Sequence, residues 1–301
     1  MELTLTCELI TPMFMTGADR ETPELRPSEF KGMIRWWWRA IKAESDIRKL
    51  REKESKIFGG AGEGEGKSRV RVFIESELEP SDIVKEQPLP HHSGGTSCPY
   101  HEGERSSTRK VKCRKAFELS AVRAGKQIKI KFTIPDLAGD IESLIYLVFI
   151  LGGFGKRSRR GFGSFEIIDP SVSIDLKKIT ELLNLINNSY EISKDPDLDM
   201  EIVINKQNSG GNYPWVRKII IGRQSFDNYS LILRKIGKVS HRYSDPSLGS
   251  IDPRMASPVY VSVIRVNNQL KPIITVLNSS FPEDYHYDIE KQQQFIRELA
   301  L

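Results

Sequence analysis

A glycine-rich stretch near the middle of the chain combines the residue types that bind phosphate. Glycine lets a backbone approach a ligand closely and present its N–H groups, and lysine and arginine pair with phosphate oxygens. Residues 152–163 contain glycines and four cations without an acid: Gly152, Gly153, Gly155, Gly161, Gly163, Lys156, Arg157, Arg159 and Arg160. The stretch therefore predicts a loop that binds nucleic acid or another polyphosphate.

The order of the neighbouring elements narrows this prediction. Apolar residues predict a helix over 139–151 before the loop and a strand over 164–168 after it. A dinucleotide-binding fold needs the reverse order, a strand and then a helix, so we exclude it. Residues 61–68 imitate a phosphate-binding P-loop, but Glu63 and Glu65 would repel phosphate, and the segment again follows a helix. We interpret it as a surface loop and exclude an ATPase.

A tryptophan-rich segment, residues 28–44, carries a second set of candidate contacts. On one side of a helical wheel lie apolar residues, which predicts a core face: Phe30, Met33, Trp36, Trp37 and Ala40. The other side carries cations around one aromatic ring: Lys31, Arg35, Trp38, Arg39 and Lys42. Cations suit a phosphodiester backbone, and an exposed indole offers a stacking platform for a base. The alternative is a solvated basic face with Trp38 under a neighbouring loop.

Catalytic and metal-binding groups find little support. Five histidines and cysteines share one segment: His91, His92, Cys98, His101 and Cys113. Cys98 and His101 have the short spacing of a zinc half-site, but no second half-site follows, which favours an unstructured loop over a zinc clip. The acidic run 195–201 contains a proline and is typical of a charged turn. His241 and His286 stand alone and no nucleophile motif occurs, so we expect no catalytic residue, no metal and no cofactor.

Composition indicates a globular protein. The 301 residues are 39% hydrophobic and 28% charged, which provides for a sizeable core, and the net charge is only +5. Three scattered cysteines indicate a reducing compartment without disulfides. The chain opens on an alternating strand rather than a signal peptide, and the longest apolar run, 144–151, is too short to cross a bilayer. We expect a cytoplasmic protein with no membrane partner.

The periodic segments predict an α+β protein with two tandem ferredoxin-like (RRM-like) domains. In residues 1–169 the order is strand, two helices, strands, helix, glycine-rich loop and strand, which fits a split βαβ unit. An insertion at about 79–115 lacks apolar periodicity, and we expect it to be mobile unless a partner orders it. Residues 170–301 have similar ingredients, with helices at 175–188, 226–238 and 285–300 and strands at 201–206, 216–222, 259–266 and 273–277.

Three segments together resemble the RAMP superfamily of CRISPR effector proteins. The first is the opening strand with residues 10–14 (ITPMF) and 17–19 (GAD). The second joins residues 25–27 (LRP) to 30–32 (FKG) and 35–39 (RWWWR). The third is the glycine-rich loop itself, and a weaker match is RMASP at 254–258. The resemblance covers most of the first half and only patches of the second.

The resemblance implies two ferredoxin-like domains in a subunit of a type III-B effector complex, near the 3′ end of the guide RNA and beside other RAMP subunits. It implies RNA-facing positions at the four loop cations and at Arg26, Lys31, Arg35, Arg39 and Arg254. Target cleavage belongs to a different subunit of such a complex. We therefore predict a non-catalytic subunit whose partners are guide RNA, single-stranded target RNA and other RAMP subunits. The alternatives are a guide-RNA-processing endoribonuclease of the same superfamily and a protein–protein adaptor.

Overall fold

The computed structural model describes residues 1–62, 65–90, 117–135, 139–207, 211–278, 281 and 285–301. The elements of the first half are β1 (Glu2–Leu9), α1 (Pro27–Lys42), α2 (Ile47–Phe58), β2 (Arg71–Ile74), β3 (Ile83–Glu86), β4 (Leu119–Val122), β5 (Gln127–Thr133), α3 (Gly139–Leu151) and β6 (Phe165–Asp169). Those of the second half are α4 (Leu176–Ile186), β7 (Tyr190–Asp195), β8 (Met200–Asn205), β9 (Val216–Ile221), α5 (Tyr229–Arg242), β10 (Val259–Val266), β11 (Gln269–Leu277) and α6 (Ile289–Ala300). The structure is thus a mixed α+β fold with antiparallel sheets.

The first sheet has the strand order β2-β5-β1-β6, and all neighbours are antiparallel. Alternation along β1 buries Leu5, Cys7 and Leu9 on one face of this sheet. Trp37 of α1 and Leu144 of α3 belong to the same hydrophobic cluster. Because α1 and α3 pack together over one sheet, the glycine-rich loop that leaves the end of α3 starts next to α1.

α3 is apolar on nearly all sides, from Ile141 to Leu151. A helix that is hydrophobic all round must be buried all round. α3 meets this condition because it contacts α1 of the first half, and α4, β10 and β11 of the second half. The position of α3 between the two halves therefore explains its apolar sequence.

The start of the predicted insertion is structured, which corrects the expectation of a mobile segment over 79–115. Residues 80–82 form a turn of 3-10 helix, and β3 then pairs with β4 in a separate two-stranded sheet. Asp82 fixes this hairpin: its carboxylate binds Arg123 at 3.3 Å and Lys126 at 2.6 Å. Ion pairs with residues distant in sequence therefore stabilise this segment, whose own sequence lacks apolar periodicity. Residues 91–116 lie outside the described ranges.

The second sheet has the order β10-β11-β9-β8-β7. Adjacent residues of β11 belong to two different hydrophobic clusters, Ile273 with α3 and α4 and Ile274 with α5 and α6, so both faces of this sheet are covered. In the segment β9-α5-β10-β11, the last strand β11 lies between β9 and β10, which run parallel to each other. In the segment β1-α1-β2-β5, the last strand β5 lies in the same way between β1 and β2. The strand beside β9 is β8, which precedes it in the chain, whereas β6 beside β1 comes last in its half.

The two halves join along β6 and β10. The hydroxyl groups of Ser164 and Ser262 lie 3.0 Å apart, and both residues are fully buried. Arg265 of β10 reaches back to the first sheet and binds Glu8 at 3.1 Å and Glu166 at 2.7 Å. The glycine-rich loop immediately precedes β6, so it lies at this junction.

Candidate nucleic-acid interface

The glycine-rich loop folds tightly against the segment that follows β1. The backbone N–H of Lys156 donates to Phe14 O at 2.8 Å, and that of Gly163 donates to Pro12 O at 2.9 Å. Phe154 and Phe162 anchor the loop, since both rings are buried, Phe162 against Phe14 with 5.0 Å between centroids. The loop is therefore held by aromatic packing and by main-chain hydrogen bonds.

The glycines serve this internal packing. A Cβ atom on Gly155 would lie 2.5 Å from Phe14 O, one on Gly161 would lie 2.8 Å from Ile236 Cδ1, and one on Gly163 would collide with the carbonyl of Phe154. All three have positive φ angles of 81°, 84° and 65°, which L side chains rarely adopt. The loop needs glycine here because the protein approaches itself closely.

The expectation that glycine N–H groups face phosphate is wrong. Each of the five donates within the protein, to Val148 O, the Tyr260 hydroxyl, Glu29 Oε1, Val261 O and Pro12 O for Gly152, Gly153, Gly155, Gly161 and Gly163 respectively. These donors cannot at the same time bind an RNA backbone. Any phosphate binding by this loop therefore falls to its side chains.

Lys156 and Arg157 are the two exposed cations of the loop. They follow Gly155, whose N–H donates to Glu29 in the first turn of α1 at 2.7 Å. The Lys156 ammonium also lies 3.4 Å from Arg20 O. The loop therefore lies against the first helix. Both cationic side chains are presented from a fixed backbone, and partial burial of the Arg157 guanidinium lowers its pKa.

Arg160 points into the protein, which corrects its prediction as an RNA contact. Its guanidinium donates to the carbonyl oxygens of Leu248 at 3.0 Å and Val259 at 3.1 Å and to the Ser257 hydroxyl at 3.2 Å. Burial and the neighbouring arginines lower the pKa of Arg160, but an arginine keeps its charge in proteins. Backbone acceptors of the second half therefore replace the phosphate that the sequence suggested.

Arg159 stands in sequence between the exposed pair, Lys156 and Arg157, and the inward-pointing Arg160. Its guanidinium lies 5.1 Å from the ring centroid of Trp36 and 5.5 Å from that of Tyr260, and it donates to Ser257 O. A cation over two aromatic faces is attracted by their negative π-systems. Arg159 thus connects α1, the loop and β10, and burial lowers its pKa.

The assignment of faces on α1 is partly wrong. Trp37 is fully buried as predicted, but Trp38 is only 1% exposed, and Trp36 is the partly exposed indole. Trp38 packs edge-on against Phe58 with 6.1 Å between the ring centroids, because α2 folds back over that side of α1. A ring covered by α2 cannot stack on a base, so Trp38 is a core residue.

Arg35 and Arg39 share a buried acid, Glu54 of α2. Arg39 Nη1 lies 2.9 Å from Glu54 Oε1, and Arg35 Nε binds the same oxygen. The two arginine side chains stay 39% and 38% exposed, while that of Glu54 is only 7% exposed. The arginines therefore neutralise a buried carboxylate and still present part of their guanidinium surface to solvent.

The remaining predicted positions are accessible. Arg26, the N-cap residue of α1, donates to Thr16 O at 3.3 Å and lies 3.4 Å from a carboxylate oxygen of Glu24. Lys31 is partly exposed, and burial together with the charge of Arg35 lowers its pKa. Arg254 is exposed at the tip of a turn closed by the Ser250–Met255 bridge. Because Arg160 binds both ends of that turn region, at Leu248 and Ser257, the structure brings Arg254 to the side of the glycine-rich loop.

The other candidate sites resolve differently. The acidic run 195–201 spans the end of β7, the turn and the start of β8, and Asp195 accepts from two backbone N–H groups and pairs with Lys218 at 3.1 Å. His91, His92, Cys98, His101 and Cys113 lie outside the described residues. In the ranges that the structure describes, no cluster of three histidine, cysteine or acidic residues could hold a metal ion. None of the described helices has the length and apolar character that a bilayer crossing needs.

Family membership follows from comparison with known proteins. The model of the RAMP superfamily matches residues 6–166, which is more than half of the chain. The chain therefore belongs to the RAMP superfamily. The matched range contains the end of β1, the arginine–tryptophan helix and the glycine-rich loop, which carried the resemblance in the sequence.

Individual relatives are subunits of one kind of complex. The chain is 30% identical over 178 residues to the CRISPR system Cmr subunit Cmr1-2 of Pyrococcus furiosus, covering 53% of this chain and 91% of that protein. It is 26% identical over 202 residues to Cmr1-1 of the same organism, covering 61% and 53%. The apo crystal structure of Cmr1 from Pyrococcus furiosus matches with a TM-score of 0.61, 17% identity and coverage of 99% and 97%. A chain of the type III-B Cmr-beta complex bound to cognate target RNA matches with a TM-score of 0.57, 12% identity and 98% coverage of both chains.

Proposed function

We propose that this chain is a Cmr1-like, RNA-binding subunit of a type III-B CRISPR effector complex. In this function it contacts the guide RNA near its 3′ end, the target RNA, or both, beside other RAMP subunits. The names of the relatives support membership of such a complex, and one structural relative comes from a complex with cognate target RNA. The relatives cover both halves of the chain, so the proposal concerns the whole described fold.

The observation that carries the proposal is the exposed pair Lys156 and Arg157 on a rigid loop between α1 and the 249–257 turn. Arg26 and Lys31 stand near Glu29, which binds the loop at Gly155, and Arg254 belongs to the turn whose two ends bind Arg160 of the loop. Cations that meet phosphate without base-edge contacts give sequence-independent binding, which suits a subunit that must accept any guide sequence. The rigid loop lowers the entropy that these side chains lose on binding.

We further propose the division into units at 1–169 and 170–301, each derived from a ferredoxin-like fold. The order β2-β5-β1-β6, with α1 after β1 and α3 after β5, supports this for the first unit. In the second unit β9-α5-β10-β11-α6 follows the same path. The sheet position that β6, the last strand, has in the first unit is taken in the second unit by β8, which precedes β9 in the chain. This proposal makes the second unit a permuted version with the additional edge strand β7.

We also propose that the subunit has no enzymatic site of its own, and the residues described around the glycine-rich loop support this. Tyr260, whose hydroxyl is bonded to the glycine-rich loop, has its pKa raised to about 12 by burial, so it holds its proton at neutral pH. Arg159 and Arg160 of the same loop are held by carbonyl oxygens and aromatic rings. Metal-free RNA cleavage needs a positioned base near neutral pKa, and these groups do not supply one.

The test is a filter-binding titration of the full chain with single-stranded and duplex RNA over a range of salt, with the RNA inspected on a gel afterwards. We expect single-stranded RNA to bind with a steep salt dependence and to stay intact with or without divalent metal. Specific cleavage products would favour the endoribonuclease. Absence of RNA binding together with binding of another RAMP subunit would favour the adaptor.

A further inference from the structure

A groove of about 410 Å³ opens beside α1, where α2 and residues 213–214 approach it. Its lining combines two aromatic rings, Trp36 and Tyr213, with two cations, Arg39 and Arg51. The glycine-rich loop does not line this groove, but Arg159 of the loop contacts the Trp36 ring. The groove is thus adjacent to the proposed RNA surface and different from it in chemistry.

Trp36 differs from the other three tryptophans of the chain. Trp37, Trp38 and Trp215 are 0%, 1% and 5% exposed, whereas Trp36 is partly exposed and lines the groove. The Trp36 ring packs edge-on against Trp37 with 5.1 Å between centroids, and the Arg159 guanidinium lies 5.1 Å from the centroid of the Trp36 ring. An aromatic ring fixed on two sides with its remaining surface exposed is suited to stacking on a base.

The second ring of the groove is fixed as well. The Tyr213 hydroxyl donates to Glu44 O at 2.9 Å, which ties residues 213–214 to the chain just after α1. Burial raises the pKa of Tyr213 to about 12, so this hydroxyl remains a donor. Both aromatic walls therefore keep their positions without a ligand, and a planar ligand would enter a preformed site.

Glu54 supplies the groove with a directional hydrogen-bond acceptor. Arg35 and Arg39 both donate to its Oε1 atom, while Oε2 has no hydrogen-bond partner within the residues that the structure describes. A carboxylate oxygen accepts from the exocyclic amino group of cytosine, whereas uracil presents a carbonyl oxygen in the same place. The two arginines offset the charge of Glu54. Arg51 at the rim lies 3.6 Å from Glu65 Oε1, but its side chain stays 73% exposed, so it can also reach a phosphate.

We propose that this groove holds one unstacked nucleobase of the bound RNA against Trp36 and Tyr213, and that Glu54 Oε2 selects a base with an amino group. Arg51 then contacts a flanking phosphate. The inference rests on the proposed RNA-binding function and adds to it a base-reading subsite. A protein side chain from a neighbouring subunit is the other conceivable occupant, and the experiment separates the two.

Tryptophan fluorescence of the full chain tests the inference, because Trp36 is the indole that lines the groove. We expect short oligocytidine to quench this fluorescence and to bind roughly fivefold or more tightly than oligouridine, as one base contact discriminates on that order. Trp36→Phe should remove the quenching. Glu54→Gln, which adds an amide donor, should reduce the preference for oligocytidine, with a melting curve to establish that this variant is folded.

A matched pair of variants on α2 tests the phosphate contact. Arg51→Ala should weaken oligocytidine binding several-fold, while Arg48→Ala, an exposed arginine of the same helix outside the groove, should leave it unchanged. Equal quenching by both oligonucleotides, or quenching that survives Trp36→Phe, would overturn the inference. So would quenching by a neighbouring RAMP subunit but not by RNA.

The outcomes also separate this inference from the proposed function. If filter binding shows salt-dependent RNA affinity without quenching, the groove is not a base site while the RNA surface stands. If neither method detects RNA, the proposed function fails, and the base-reading inference fails with it.

Discussion

The guanidinium of Arg160 donates a hydrogen bond of 3.0 Å to the carbonyl oxygen of Leu248, which lies in the opposite half of the chain. Arg160 also donates to Val259 O, at the start of β10, the strand that packs against β6. The glycine-rich loop therefore performs two separate tasks. Its later arginines fix the second half against the first, and its earlier cations, Lys156 and Arg157, remain available to a ligand.

Arg160→Ala should destabilise the protein by roughly 1–3 kcal/mol, because it leaves buried acceptors without a donor. The affected acceptors are Leu248 O, Val259 O and the Ser257 hydroxyl, all in buried residues. Chemical denaturation measures the loss. Arg157→Ala, which removes an exposed cation from the same loop, is the matched control and should stay within about 0.5 kcal/mol of wild type. Equal stability of the two variants would contradict the inward role of Arg160.

Trp38→Ala should destabilise the protein by roughly 3–5 kcal/mol, as removal of a fully buried indole does elsewhere. Trp36→Ala removes a partly exposed ring and should cost clearly less. The comparison uses the free energy of unfolding of the two variants. A Trp38→Ala protein as stable as wild type would mean that α2 does not cover this side of α1.

Local sequence was sufficient where an element carries its own boundaries. The apolar run between Gly139 and Gly152 predicts a helix over 139–151, and α3 has these bounds. The charged segment predicts a helix over about 46–58, and α2 begins one residue later because the Asp46 side chain caps it, accepting from the N–H groups of Arg48 and Lys49. The RAMP resemblance also rested on local motifs, and the family comparison confirms it.

Tertiary packing decided what the sequence could not. A helical wheel gives the directions of Trp36 and Trp38 but not which neighbour covers each direction, and α2 covers Trp38. β7 escaped prediction because it is an edge strand whose polar residues face solvent, as in Glu191 and Lys194. An edge strand needs no continuous apolar pattern.

The split among the loop cations was also beyond local reasoning. Lys156, Arg157, Arg159 and Arg160 stand in one short segment, and nothing in their immediate neighbours distinguishes them. The acceptors that turn Arg160 inward lie about ninety to a hundred residues further along the chain, at 248 and 257–259. Only the packing of β10 against β6 brings them to the loop.

The double variant Lys156→Ala/Arg157→Ala tests the central claim most directly, in a filter-binding titration with single-stranded RNA over a range of salt. The control is Lys177→Ala/Arg217→Ala, which removes the same two residue types from exposed positions on α4 and β9. Each lost phosphate contact lowers the log–log salt slope by about 0.7, so the loop variant should bind more weakly and lose about 1.4 from its slope. The control should have the RNA affinity and salt slope of wild type, and both variants should have the wild-type melting temperature. Unchanged affinity and slope in the loop variant would contradict an RNA surface at the glycine-rich loop.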